Sequence, residues 1–80
     1  MNRFDGKSVI VTGAASGFGA AIARKFSNEG ASVVCADLNM IGATEVAGSL
    51  AGAIPFEIDV ADEAQNNAMI QAAVDHFGKI

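Results

Sequence analysis

Residues 9–19, Val-Ile-Val-Thr-Gly-Ala-Ala-Ser-Gly-Phe-Gly, restrict what this chain can become more than any other stretch of it. The front half is an apolar, β-branched run, the pattern of a strand buried on both faces. The back half sets Gly13, Gly17 and Gly19 where that strand meets a helical pattern beginning near Phe18. A glycine-rich turn between strand and helix lets backbone approach a ligand where a Cβ would collide. It also aims the unsatisfied N–H groups of a helix N-terminus at an anion, and phosphate or pyrophosphate is the natural choice. Turns that bind dinucleotides are followed, about 20 positions on, by an acidic residue that takes a ribose diol. Asp37 stands at that distance, closing the apolar run Val33-Val34-Cys35-Ala36. A P-loop would need Gly-Lys-Ser/Thr at the start of its helix, and here Gly19 is followed by Ala20-Ala21.

The remainder of the chain repeats the strand-then-helix alternation. Residues 1–7 read as a lead-in, with Phe4 as an anchor and Asp5-Gly6 as a turn. A first strand over 8–12 is followed by a first helix over 18–29, where Phe18, Ile22 and Phe26 form the expected packing stripe. Gly30 ends that helix. A second strand covers 32–36, and a second helix covers 39–51, weakened by Gly42 and Gly48 inside it. Its core stripe is Ala43, Val46, Ala47 and Leu50. A third strand covers 53–58, with Pro55 suited to an edge, where a missing N–H costs nothing. Asp62 is the expected N-cap of a third helix that runs to Phe77 and stops at Gly78. Ile70, Val74 and Phe77 share a face there with Asn66.

This order describes an α/β fold, the first half of a doubly wound parallel sheet of the Rossmann type. Right-handed crossovers give strand order 3-2-1, with the first two helices on one face and the third on the other. A fourth strand beside the first would follow next, and the chain halts where it should begin.

Eighty residues allow one small domain. With 51% hydrophobic and 18% charged residues this is globular sequence and not disorder. The net charge of −4, with five scattered basic residues, gives no reason to expect a nucleic acid or an anionic membrane as partner. No apolar stretch approaches a membrane span and no signal-like N-terminus is present, so a cytoplasmic location is expected. The single cysteine, Cys35, permits no internal disulfide and reads as a small buried hydrophobe rather than a reactive thiol. No His, Cys or carboxylate grouping has metal-ligand spacing. His76, the only histidine, falls near a helix end and reads as solvated rather than as a catalytic base.

Thr12-Gly13-Ala14-Ala15-Ser16-Gly17-Phe18-Gly19 resembles the Thr-Gly-x-x-x-Gly-x-Gly turn of the compact short-chain dehydrogenases/reductases. Asp5-Gly6-Lys7, Asn28-Glu29-Gly30-Ala31, Asp59-Val60 and His76-Phe77-Gly78-Lys79-Ile80 fit the same family in register. The resemblance thus covers all 80 residues, but only the N-terminal part of a single family domain. Some methyltransferases also use a glycine-rich first turn and a later acid; Thr12 and the Asp59-Val60 pair argue against them. Phe18 stands where the family more often has Ile or Leu, and Asn66 where it more often has an aliphatic residue.

The resemblance implies an oxidoreductase that moves a hydride between the nicotinamide of NAD and an alcohol or ketone. Carried over by position, Gly13, Gly17 and Gly19 shape the pyrophosphate turn, and Ser16 and the Phe18 backbone reach phosphate or ribose. Asp37 takes the adenosine ribose, Leu38 flanks the adenine, and Asp59 and the Val60 N–H meet the adenine ring. Asp59 also reads as a residue leading into the third helix. Asp37 favours NAD over NADP, because the family's NADP users carry a basic residue at the positions of Leu38 or Ser16. The family's catalytic Ser, Tyr and Lys lie further along than residue 80, and this chain has no tyrosine. No catalytic residue is therefore expected within it, and an oligomer is expected of the complete protein. The alternative is a dinucleotide-binding module, or a truncated product, without catalysis.

Overall fold

A computed structural model describes residues 6–59 and 61–78. Its elements are β1 (Ser8–Thr12), α1 (Gly17–Asn28), β2 (Ser32–Asp37), α2 (Met40–Gly48), β3 (Ala53–Glu57) and α3 (Glu63–Phe77). The three strands form one parallel sheet in the order β1-β2-β3, the expected 3-2-1 order read from the other side. Val11 pairs with Cys35 and Cys35 with Pro55, so Pro55 does lie on an edge strand.

Because β2 is central, its side chains feed two separate cores by alternation. Val33 and Cys35 join Val11, Ala23 and Ala47 on the side covered by α1 and α2. Val34 and Ala36 join Ile58, Met69 and Ala73 on the side covered by α3. The two faces and their helices are those expected of a doubly wound sheet. Val33, Val34, Cys35 and Ala36 are each no more than 1% exposed, which explains the unbroken apolar run of β2.

The helices begin and end where capping chemistry directs. Ser16, Asn39 and Asp62 are the three N-caps, each accepting a backbone N–H three residues on. Past α1, Gly30 takes a positive φ of 95°. Its N–H donates to the Ser27 carbonyl, and the Ala31 N–H donates to the Phe26 carbonyl, the paired bonds of a Schellman stop. α3 stops on Gly78 at φ 84°, as expected. The second helix is shorter than the expected 39–51, since Asn39 is its cap and the chain turns after Gly48.

Two helix faces depart from expectation. Phe18 is 80% exposed, and α1 instead lays Gly19 and Ala23 on the sheet, flanked by half-buried Ile22 and Phe26. The start of α1 sits too close to the preceding turn for a large side chain. In α3, Met69 and Ala73 are the buried positions, while Ile70 and Val74 are 46% and 38% exposed. Asn66 and Phe77 remain on the half-buried side. Phe4, Asp5, Val60, Lys79 and Ile80 lie outside the described residues.

Candidate functional site

Every parallel strand delivers its C-terminal end to the same edge of the sheet, so the segments after β1, β2 and β3 meet there. The ladder continues into that edge: the Ala14 N–H donates to the Ala36 carbonyl at 3.1 Å and the Ile58 N–H to the Asp37 carbonyl at 3.0 Å. Between these segments lies a small pocket of about 160 Å³ lined by Gly13, Asp37, Leu38, Ile58 and Asp59. Four of those five were expected at a site from sequence. Ile58, 1% exposed, forms its apolar base and was read only as the end of a strand.

The glycines of the turn have three different reasons. Gly13 takes φ +68°, a conformation that side chains disfavour. A Cβ on Gly19 would lie 2.1 Å from the Gly13 carbonyl oxygen, so only glycine lets α1 start against the turn. A Cβ on Gly17 would meet nothing within 4 Å. With neither φ nor protein packing requiring it, Gly17 leaves open the face through which a ligand would reach the backbone.

Ser16 holds this turn together. Its hydroxyl donates to the Gly13 carbonyl at 2.8 Å and accepts from the Gly19 N–H at 3.0 Å. The N–H groups of Gly17 and Phe18 begin the helix with no hydrogen-bond acceptor among the described residues, the usual state of a first helical turn. These donors fit an anionic phosphate.

Asp37 ends β2 and is bound on both sides. Its Oδ2 accepts from the Ala15 N–H at 2.9 Å, and its Oδ1 accepts from the Asn39 N–H at 2.9 Å. A carboxylate offers about four acceptor positions, so Asp37 retains capacity for a ribose diol. Its contact with Ala15 was not anticipated from sequence, because it joins two loops distant in the chain. Leu38 beside it is 68% exposed, an apolar surface at the rim. Asp59 leads into α3: its Oδ1 accepts from the Ala61 N–H at 3.0 Å, and its carbonyl from the Asp62 N–H at 2.9 Å. Its other carboxylate oxygen has no protein partner among the described residues, so the turn role and a ligand role are compatible. Val60 lies outside the described residues.

The other chemically notable side chains are elsewhere. Cys35 is wholly buried, and burial pushes its thiol above the ordinary value of 9.0, making it less reactive. His76 sits exposed at the far end of α3, edge-on to Phe77. Among the described residues no group of three or more His, Cys, Asp or Glu could hold a metal, and no helix is long and apolar enough to cross a membrane. The turn and the first N–H groups of α1 thus offer donors to an anion, and Asp37 offers open acceptor positions at the same edge of the sheet.

The short chain dehydrogenase family model matches residues 7–80. D-threitol dehydrogenase from Mycolicibacterium smegmatis is 45% identical over 82 residues, covering 98% of this chain and 32% of that protein. Meso-2,3-butanediol dehydrogenase from Serratia marcescens is 42% identical, with 98% and 32% covered. The crystal structure of 3-ketoacyl-(acyl-carrier-protein) reductase from Brucella melitensis, complexed with NADH, superposes with a TM-score of 0.91 at 40% identity, covering 96% of this chain and 32% of that one. The chain thus spans about a third of the length of the relatives it matches. With a turn, an acid and a sheet order that agree with a match over nearly its whole length, this chain belongs to the short-chain dehydrogenase family of NAD(P)-dependent oxidoreductases.

Proposed function

We propose that these 80 residues are the N-terminal part of a single NAD-binding domain and supply the pyrophosphate and adenosine half of its cofactor site. In the complete protein, bound NAD supplies the hydride acceptor for oxidation of an alcohol to a ketone. Gly13, Gly17 and Gly19 shape the turn, and Ser16 fixes it. The Gly17 and Phe18 N–H groups face the pyrophosphate. Asp37 takes the ribose hydroxyls, with Leu38, Asp59 and Val60 around the adenine.

The observation that carries this reading is the position of the Asp37 carboxylate, tied to the glycine turn through Ala15 and lining the same pocket as Gly13 and Asp59. It also carries the preference for NAD. A carboxylate accepts from both ribose hydroxyls and repels a 2′-phosphate, and neither Ser16 nor Leu38 offers a compensating cation. A hydrogen bond to a charged group is worth roughly 1.5–3 kcal/mol, so NAD should bind at least about tenfold more tightly than NADP. Competitive titration tests this, and equal affinity or a preference for NADP would refute it.

The substrate of the complete protein is an alcohol or ketone. Relatives named for D-threitol and meso-2,3-butanediol put polyols and vicinal diols first in a substrate panel. Steroid alcohols and 3-hydroxyacyl thioesters belong in the same panel, since solved structures named for a hydroxysteroid dehydrogenase and a 3-ketoacyl-(acyl-carrier-protein) reductase share the fold. The gene extended to its natural stop should reduce NAD with at least one of these. No turnover with any of them would favour a binding module instead.

A further inference from the structure

Gly42 is the third residue of α2, inside a segment where glycine weakens a helix. The fold nevertheless has a use for it. A Cβ on Gly42 would lie 2.7 Å from the Cβ of Ala15 in the glycine turn, and 2.9 Å from Nδ2 of Asn39. Ala15 and Asn39 are the two residues whose backbone N–H groups hold the oxygens of Asp37. Asn39 in turn accepts the Gly42 N–H on its side chain at 3.0 Å. The four residues close a ring in which every link but one is a hydrogen bond. The remaining link is the bare approach of Gly42 to Ala15.

We propose that Gly42 is a positioning residue for the adenosine half of the NAD site: lacking a side chain, it lets α2 seat against Ala15 so that Asp37 is held from both sides. The proposal rests on the NAD reading for its effect on affinity, and on the geometry alone for its effect on the turn. A methyl group at position 42 would push Ala15 and α2 apart. That shift strains the hydrogen bonds that hold the carboxylate from both sides, and loosens the orientation that presents its remaining lone pairs to the ribose. Misplacement of a binding group on the ångström scale is enough to matter. Gly48 provides the control, since it lies in the same helix and a Cβ there meets nothing within 4 Å.

The test places Gly42→Ala, Gly48→Ala and the double variant Gly42→Ala/Ala15→Gly in the complete protein and compares each with the unaltered protein. One readout is exchange of the Ala15 amide proton without nucleotide, by NMR; the other is calorimetric titration with NAD. Gly42→Ala should speed Ala15 exchange and weaken NAD about tenfold. Gly48→Ala should change neither. Removing the Ala15 Cβ in the double variant should recover most of both losses, and should restore folding if Gly42→Ala alone unfolds the chain. Parent-like exchange and affinity in Gly42→Ala would overturn the proposal, as would a double variant no better than the single one. An unaltered complete protein that ignores NAD, while Ala15 exchange still responds to Gly42→Ala, would overturn the cofactor reading and uphold the positioning role.

Discussion

Gly17 and Gly19 stand two residues apart and answer to different forces. At Gly17 there is room for a methyl group, and alanine is the better helix former by up to about 1 kcal/mol. Gly17→Ala should therefore leave the thermal midpoint unchanged or slightly raised, while placing a methyl on the open face and weakening NAD about tenfold or more. At Gly19 the new methyl would meet the Gly13 carbonyl oxygen at 2.1 Å, and backbone has to move. Such overpacking costs about 1–3 kcal/mol, so Gly19→Ala should lower both the midpoint and the affinity. Parent-like stability in Gly19→Ala would contradict this account. Cys35 gives a prediction in pH. Its buried thiol holds its proton more tightly than the unfolded chain does, so its contribution to stability is intact below the ordinary value of 9.0. That contribution is lost as pH rises through the folded thiol's higher value. Urea unfolding between neutral and alkaline pH should show the parent losing stability faster than Cys35→Ala; parallel curves would contradict it.

Among the elements, α3 shows how burial and hydrophobicity part company. It carries Met69, Ile70, Ala73 and Val74 in close succession, and only Met69 and Ala73 reach the sheet. Removing a buried side chain costs transfer free energy plus a cavity, about 2–5 kcal/mol for Met→Ala. Ile70→Gln, on the exposed side, should stay within about 0.5 kcal/mol of the parent in this chain. Urea midpoints compare the two, and a larger loss from Ile70→Gln would mean that α3 is rotated from its position here. α1 gains its position differently. Its inward face is built from Gly19 and Ala23, so the backbone comes close to the sheet, and the flanking Ile22 and Phe26 close the seam.

At the scale of the whole molecule, β1 has a partner only on the side of β2 among the described residues. Its outer edge presents unpaired N–H and C=O groups, with exposed Ile70 and Val74 on α3 adding apolar surface elsewhere. A chain of this size buries only about 60% of its unfolded surface and has little stability to spare. The 80-residue chain alone should therefore be marginally folded or self-associated. A sharp, concentration-independent unfolding transition from a monomer in analytical ultracentrifugation would contradict this. It should also fail to reduce NAD with any alcohol. The half-site proposed above orients no nicotinamide against a substrate, and a chain without tyrosine lacks the proton donor expected of the family. Turnover above buffer background by this chain would refute the roles proposed above.

Local chemistry made much of this legible before any coordinates. Three apolar runs could only be strands, since each is short, rich in branched or aromatic residues, and bounded by glycine or polar residues. The handedness of crossovers then left one strand order. Asp62, Gly30 and Gly78 announced helix ends because capping depends on neighbours a few residues away, whereas the N-cap role of Ser16 emerged only in the folded chain. Asp37 was legible differently, as the acid closing the second apolar run, and it does end β2. What the tertiary structure decided was phase and proximity. A helical period shows that an apolar stripe exists, but where apolar residues occupy adjacent positions it does not say which of them faces inward. Close packing against the turn put Gly19 inward and Phe18 outward, and docking on β2 chose Met69 and Ala73 over Ile70 and Val74. Gly42 read as a weakness of its helix until folding set it against Ala15, a contact between distant residues that no local pattern encodes.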